Sequence, residues 1–331
     1  MSLPYLLRLL FISSAVFFLI HLFVGLAVRL ASPKIIKASH NFQPHYAVRF
    51  LLAARFLPVG LASFVVLGLC VPSYLWLEPA ATNEQISVPS IFAAFLAIFL
   101  CALSLFRALR AMAMTREFTR ACLKMGREQC LSADSSPVLV VEGEAPILAM
   151  AGVIRPRLVV SQSVLRSLPH DQLEAAIRHE RAHRTSADNL KRLLLLMSPE
   201  IFPFVHAFTA IDNSWRKISE WAADDFAVEN DSNRSLSLAS ALIRVAQMGA
   251  SPRMSPLCTA LISDSANTAD ADLADRVNRL LHQAPTGDPS PVRWTALATG
   301  TAITLGLSIV IVIFRPSTLH SVHQILERII H

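Results

Sequence analysis

The residues best suited to chemistry lie in "EAAIRHERAHRTSAD", residues 174–188. His179 and His183 are four apart, so on an α-helix they share one face and can offer two imidazole nitrogens to one ion. Glu180, rotated by about 100°, reaches the side of that ion without binding it. This is the arrangement of a metal-dependent hydrolase, in which a carboxylate handles the proton of an attacking water. HExxH alone can arise by chance, and a hydrolytic zinc needs a third protein ligand. A candidate follows in "SEWAADDFAVE", residues 219–229, where Glu220 and Asp224 are again four apart. Glu220 can complete the coordination, and Asp224 can accept the second ring proton of a ligand histidine. An acidic helix by itself is usually a solvated surface. The upstream HExxH gives it another meaning. His170, His206 and His282 have no partner at metal spacing.

These residues need helices to hold them. Ser167 is an expected N-cap for the motif helix, Pro169 lies in its first turn, and Leu173, Ala176 and Ile177 form an apolar stripe at helical spacing. The rest of the chain points to a membrane. Of 331 residues 53% are hydrophobic and 16% charged, unlike an ordinary soluble domain. Four runs have the roughly 20 apolar residues that a crossing needs: 9–28, 50–77 with a kink expected at Pro58, 88–106, and 294–314. The first is long for a signal peptide and reads as an uncleaved anchor.

The charges flanking these runs set an expected orientation. Arg29, Lys34, Lys37 and Arg49 follow the first run, Glu78 and Glu84 follow the second, and Arg107 and Arg110 follow the third. The positive-inside bias therefore places residues 107–293 in the cytoplasm and both termini outside. Arg55, near a span end, is expected to snorkel to the interface. His21 is the other ionisable group inside an apolar run.

The net charge of +6 comes from scattered basic residues and fits topology better than nucleic-acid binding. Five cysteines without CxxC spacing suggest neither a disulfide framework nor a thiolate site. "PVLVV" (137–141) and "PRLVVS" (156–161) read as strands, one of them a candidate edge for an extended substrate. The apolar 193–208 stretch, broken by Pro199, Glu200 and Pro203, reads as two short helices or a membrane-facing hairpin. Residues 250–272 read as a loop or linker.

HExxH followed by a Glu-x-x-x-Asp helix, in a polar domain after a third span, resembles the membrane zinc metallopeptidases of the BlaR/MecR type, the beta-lactam sensor-transducers. "GEAPILAMAGVIRPRLVVSQSVL" (143–165) resembles their pre-catalytic segment at Pro146, Gly152 and Pro156. "SLPHDQLEAAIRHERAHRTSADN" resembles their catalytic helix, including an acid five residues after the second histidine, here Asp188. "FPFVHAF" (202–208) resembles an aromatic-Pro-aliphatic turn, and "LADRVNRLL" (273–281) a late arginine-bearing helix. The resemblance implies His179, His183 and Glu220 as zinc ligands, Glu180 as general base, Asp224 as an orienting acid, and Arg276 as a substrate or oxyanion contact. Ala223 and Phe202 stand where the family more often has Cys and Asn. Only 17 residues follow the fourth run, so the family's penicillin-binding sensor domain is expected to be missing.

The expected architecture is a mainly α membrane protein. Residues 1–106 hold three transmembrane helices, 107–293 an inserted α+β zincin-like metallopeptidase domain, 294–314 a fourth helix and 315–331 a short outer tail. The expected activity is zinc-dependent endopeptidase cleavage of a cytosolic, repressor-like protein in response to a membrane or envelope signal, in the bacterial-type plasma membrane, with self-cleavage an open option. Expected partners are the bilayer, a protein or peptide substrate such as a transcriptional repressor and, as an open option, a second copy in a homodimer; nucleic acid is not among them. Ste24 and heat-shock membrane proteases share the two motifs and stand as an alternative, as does a non-catalytic scaffold. A site-2-type protease fits less well, because Arg178, Arg181 and Arg184 make the motif helix polar.

Overall fold

The computed structural model describes residues 5–77, 87–129, 137–201, 206–249, 257–261, 269–282 and position 324. Three apolar rods come first. They are α1 (Tyr5–Ser39), then α2 (Pro44–Val65) continuing through a π turn (Val66–Cys70) into α3 (Val71–Leu77), and α4 (Val88–Met125). Each rod is long and apolar enough to cross a membrane, which marks this as a membrane protein. At 1.5 Å per residue α1 and α4 exceed about 50 Å, longer than a hydrocarbon core of about 30 Å, so both project beyond it. Phe23, Leu67, Phe92 and Phe95 face outward. Ala15, Ala93, Ala94 and Ala97 pack between α1 and α4, because small side chains let lipid-solvated helices approach closely.

Two details of the rods differ from expectation. Pro58 lies inside uninterrupted α2, and the irregular turn comes at Val66–Cys70, just before Pro72, whose missing N–H disturbs the α ladder. The third rod does not stop at Phe106 with its apolar run. It continues as one helix to Met125 and delivers its basic half directly to the polar domain.

Among the described residues that domain holds a five-stranded mixed sheet of β1 (Gly126–Gln129), β2 (Val138–Val141), β3 (Leu148–Ala151), β4 (Arg157–Ser161) and β5 (Cys258–Ala260). Their order is β1-β2-β4-β3-β5. β2 and β4 run parallel, and every other pair is antiparallel. Both expected strands are therefore interior, and neither offers a free edge to substrate. The edges are β1 and β5. β5 lies inside the segment expected to be a loop, pairing Ala149 with Ala260 and Ala151 with Cys258.

Among the described residues six helices accompany the sheet: α5 (Gln162–Ser167), α6 (His170–Thr185), α7 (Asp188–Met197), α8 (Thr209–Val228), α9 (Ser232–Gln247) and α10 (Ala269–His282). Ser167 ends α5 instead of capping α6; Pro169 holds the cap position of α6. The main core joins sheet, α6 and α9 through Met150, Val160, Ala176, Leu238 and Leu242. A second core joins the rods to α8: Val28, Val48 and Leu51 pack against Ile201, Ile211, Trp215 and Ile218.

Arg55 does not snorkel. It is 1% exposed and reaches Asp212 at 3.1 Å, Ser198 Oγ at 2.9 Å and Glu200 at 3.5 Å. Its guanidinium lies 4.2 Å from the centre of the Phe208 ring. A buried arginine needs such partners, and α8 and the segment after α7 supply them. After α7, the 198–201 stretch tucks against α1, where Ile201 leaves room only for a glycine at position 25. Phe202, Pro203, the expected fourth span 294–314 and, apart from position 324, the tail 315–331 lie outside the described residues.

Candidate metal centre

α6 and α8 pack together in the domain core, which brings their two i, i+4 pairs face to face. His179 and His183 project from successive turns of α6 and are 0% and 2% exposed. Their Nε2 atoms are 3.2 Å apart. From α8, a Glu220 oxygen approaches each of them, at 3.4 Å from His179 Nε2 and 3.6 Å from His183 Nε2. Nitrogen and oxygen ligands at about 2.0–2.1 Å from a tetrahedral zinc stand roughly 3.3 Å from one another. The three side chains meet that spacing without rearrangement, and Glu220 Oε2 and Glu180 Oε1, both buried, accept no hydrogen bond from the described residues. The residues fit a divalent metal.

Each imidazole is oriented from behind. His183 Nδ1 pairs with Asp188 Oδ2 at 2.7 Å, and His179 Nδ1 faces Asp224 Oδ1 at 2.9 Å. A proton held on Nδ1 by a carboxylate fixes the tautomer that turns the Nε2 lone pair to the metal position. Asp188 is itself held by Ser219 Oγ at 3.0 Å and Lys191 Nζ at 2.8 Å. Arg276 grips Asp224 with Nε and Nη2 at 2.9 and 2.7 Å, and gives Nη1 to the Leu261 carbonyl. The same Nη1 lies 3.3 Å from Glu220.

The electrostatics favour a cation. Burial disfavours the His183 imidazolium, yet the Glu220 and Asp188 carboxylates outweigh it and push the ring up to about 10. Burial would raise Asp224, but Arg276 and His179 hold it at about 2. Glu220 is likewise kept well below the usual carboxylate range, since His183 and His179 overcome its burial. The carboxylates stay ionised and supply the negative field that a divalent ion satisfies.

Glu180 differs from its neighbours. Burial dominates it and pushes its carboxyl up to about 7, where one group can both take and return a proton near neutral pH. It is anchored on one side only: Oε2 accepts the Met150 N–H of β3 at 3.1 Å. β3 is positioned by Asn189 of α7, whose Nδ2 donates to the Met150 and Gly152 carbonyls at 3.0 and 2.8 Å.

All six residues singled out in the sequence therefore meet in one cluster. Arg276 arrives engaged with Asp224 instead of presenting free donors. Sequence reasoning left Asp188 without a role and missed Asn189, Ser219, the Met150 amide and Arg192, which gives Nη1 to the Cys258 carbonyl and stands 3.8 Å from Glu220. The usable signal was Asp188 itself, an acid opening a second helix right after the motif.

The family model described as Peptidase family M48 matches residues 113–323, well over half the chain, from the basic half of α4 through every described element of the metal centre. Among curated proteins no match to the chain is found.

Proposed function

The chain belongs to peptidase family M48, and from that premise we propose that it is a membrane zinc endopeptidase whose ligands are His179, His183 and Glu220 and whose general base is Glu180. The observation that carries the reading is the mutual spacing of the three ligand side chains beside a half-anchored, buried glutamate. A zinc ion bound there supplies Lewis acidity toward the scissile carbonyl and the attacking water. Glu180 takes a proton from that water through Oε1 and returns it to the leaving amine. Asp188 and Asp224 hold the imidazoles, and Arg276 acts through Asp224. Glu180→Gln tests this directly: it should retain zinc and cleave peptides about 10²–10⁴-fold more slowly. Undiminished cleavage by that variant refutes the assignment of the base.

The topology reading places the domain in the cytoplasm. Supporting it, the basic end of α1, with Lys34 and Lys37, leads into a turn on the domain's side, with His40 6.0 Å from the Trp221 ring of α8, and α4 enters the same domain. The BlaR/MecR-like segments favour regulated cleavage of a cytosolic repressor-like protein. Ste24- or heat-shock-type quality control is equally compatible with the family. Comparing proteins stabilised in cells carrying Glu180→Gln separates them: one or a few regulators for the first reading, many misfolded membrane proteins for the second.

A further inference from the structure

A groove of about 780 Å³ borders the metal centre, with the ligand His183 and Met150, whose amide holds Glu180, in its lining. Its apolar floor includes Val138, Val153 and Leu158. Its charged lining is one-sided. Arg155 and Arg157 come from the β3–β4 loop and the start of β4, and Arg181 and Arg184 from α6, against one carboxylate among the described residues, Glu128. Glu128 already pairs with Arg157. Arg155 and Arg184 are exposed. Across the same loop a smaller groove of about 230 Å³ shares Val153, Ile154 and Arg155 and adds Arg116 and Arg120 of α4, so the basic character continues away from the site.

The loop that presents Arg155 is fixed in place. Gly152 has φ of 101°, a side chain there would meet the Arg155 carbonyl at 3.3 Å, and the Gly152 carbonyl accepts a hydrogen bond from Asn189. Ile154, at its tip, is 85% exposed.

We propose that this groove is the enzyme's specificity subsite, and that it selects extended polypeptide segments carrying aspartate or glutamate beside the scissile bond together with an apolar side chain. The proposal rests on the peptidase reading above. A polypeptide is favoured over lipid headgroups because the groove is continuous with the metal centre, so its occupant is what lies over His183. Exposed arginine–carboxylate pairs are each weak and screened by salt, so the expected selectivity is about 3- to 20-fold in kcat/KM over neutral sequences, shrinking in high salt as the Debye length falls.

The test uses the zinc-loaded full chain in phosphatidylcholine nanodiscs, digesting a proteome-derived peptide pool with cleavage sites read by mass spectrometry. Asp and Glu should be enriched within a few residues of the cut, and the Arg155→Glu/Arg184→Glu chain should enrich Lys and Arg instead. The single variants Arg155→Gln and Arg184→Gln, each expected to weaken the enrichment, carry the test if the double variant does not fold. Cleavage with no acidic enrichment, or enrichment unmoved by these variants, overturns the proposal and leaves the peptidase intact. Enrichment abolished by phosphatidylglycerol nanodiscs assigns the arginines to lipid and also overturns it. If the wild type cleaves nothing while Glu180→Gln binds a fluorescent acidic peptide in preference to its neutral counterpart, the groove stands and the peptidase reading fails; neither cleavage nor binding overturns both.

Discussion

His183 Nδ1 and Asp188 Oδ2 lie 2.7 Å apart, so the acid that opens α7 governs the second histidine of α6. The left-handed turn at Ala187, with φ of 54°, folds α7 back to make that contact. Asp188→Asn keeps the shape and removes the charge that favours the Nδ1–H tautomer. Zinc affinity, measured by chelator competition, should fall about 10- to 100-fold. Unchanged affinity means Asp188 serves folding alone.

Arg276 and Asp224 form the matching pair behind His179. Because the guanidinium meets the carboxylate with two nitrogens, a lysine cannot replace it. Arg276→Lys should lower zinc affinity in the same direction as Asp224→Asn, and the two changes together should cost less than their sum. Strictly additive losses in a double-mutant cycle would show that the residues act separately.

Arg55 belongs to the fold more than to the chemistry. It carries a buried charge from α2 to Asp212 on α8 and to Glu200. Arg55→Met strands both carboxylates and should lower stability in detergent by about 3–5 kcal/mol. Adding Glu200→Gln and Asp212→Asn to Arg55→Met should recover part of that loss. A melting temperature unchanged by Arg55→Met would show the cluster to be energetically neutral.

Metal removal should be visible in stability as well as in activity. A ligand bound only by the folded state at 100 times its Kd contributes about 2.7 kcal/mol. Chelation should therefore lower the unfolding temperature of the wild type, restored by added zinc, and should barely move that of His179→Ala. Equal shifts in both proteins would place the metal elsewhere.

The legible parts of this protein were those whose physics is local. Two i, i+4 pairs, His179/His183 and Glu220/Asp224, announce shared helix faces by spacing alone, and the apolar rods announce themselves by length. What escaped depends on contacts distant in sequence. Arg55 meets Asp212 across 157 positions, so its own span offers only a charge near an end and no hint of a partner. β5 is a three-residue strand, Cys-Thr-Ala, created by pairing with β3 and invisible to periodicity. "PVLVV" and "PRLVVS" read correctly as strands, but their interior places follow from β1 and β3, short strands that no pattern announced. Ser167 fits an N-cap as well as a helix end, and only Pro169 decides between them.

The central claim is that His179, His183 and Glu220 hold one metal ion. Metal content of the purified full chain, after exposure to zinc and removal of excess, measures it directly. The account predicts about one zinc per chain in the wild type and in Glu180→Gln, with loss of stoichiometric zinc in His183→Ala and Glu220→Ala chains that remain folded. A folded wild type without stoichiometric zinc, or zinc retained in full by both ligand variants, would contradict it.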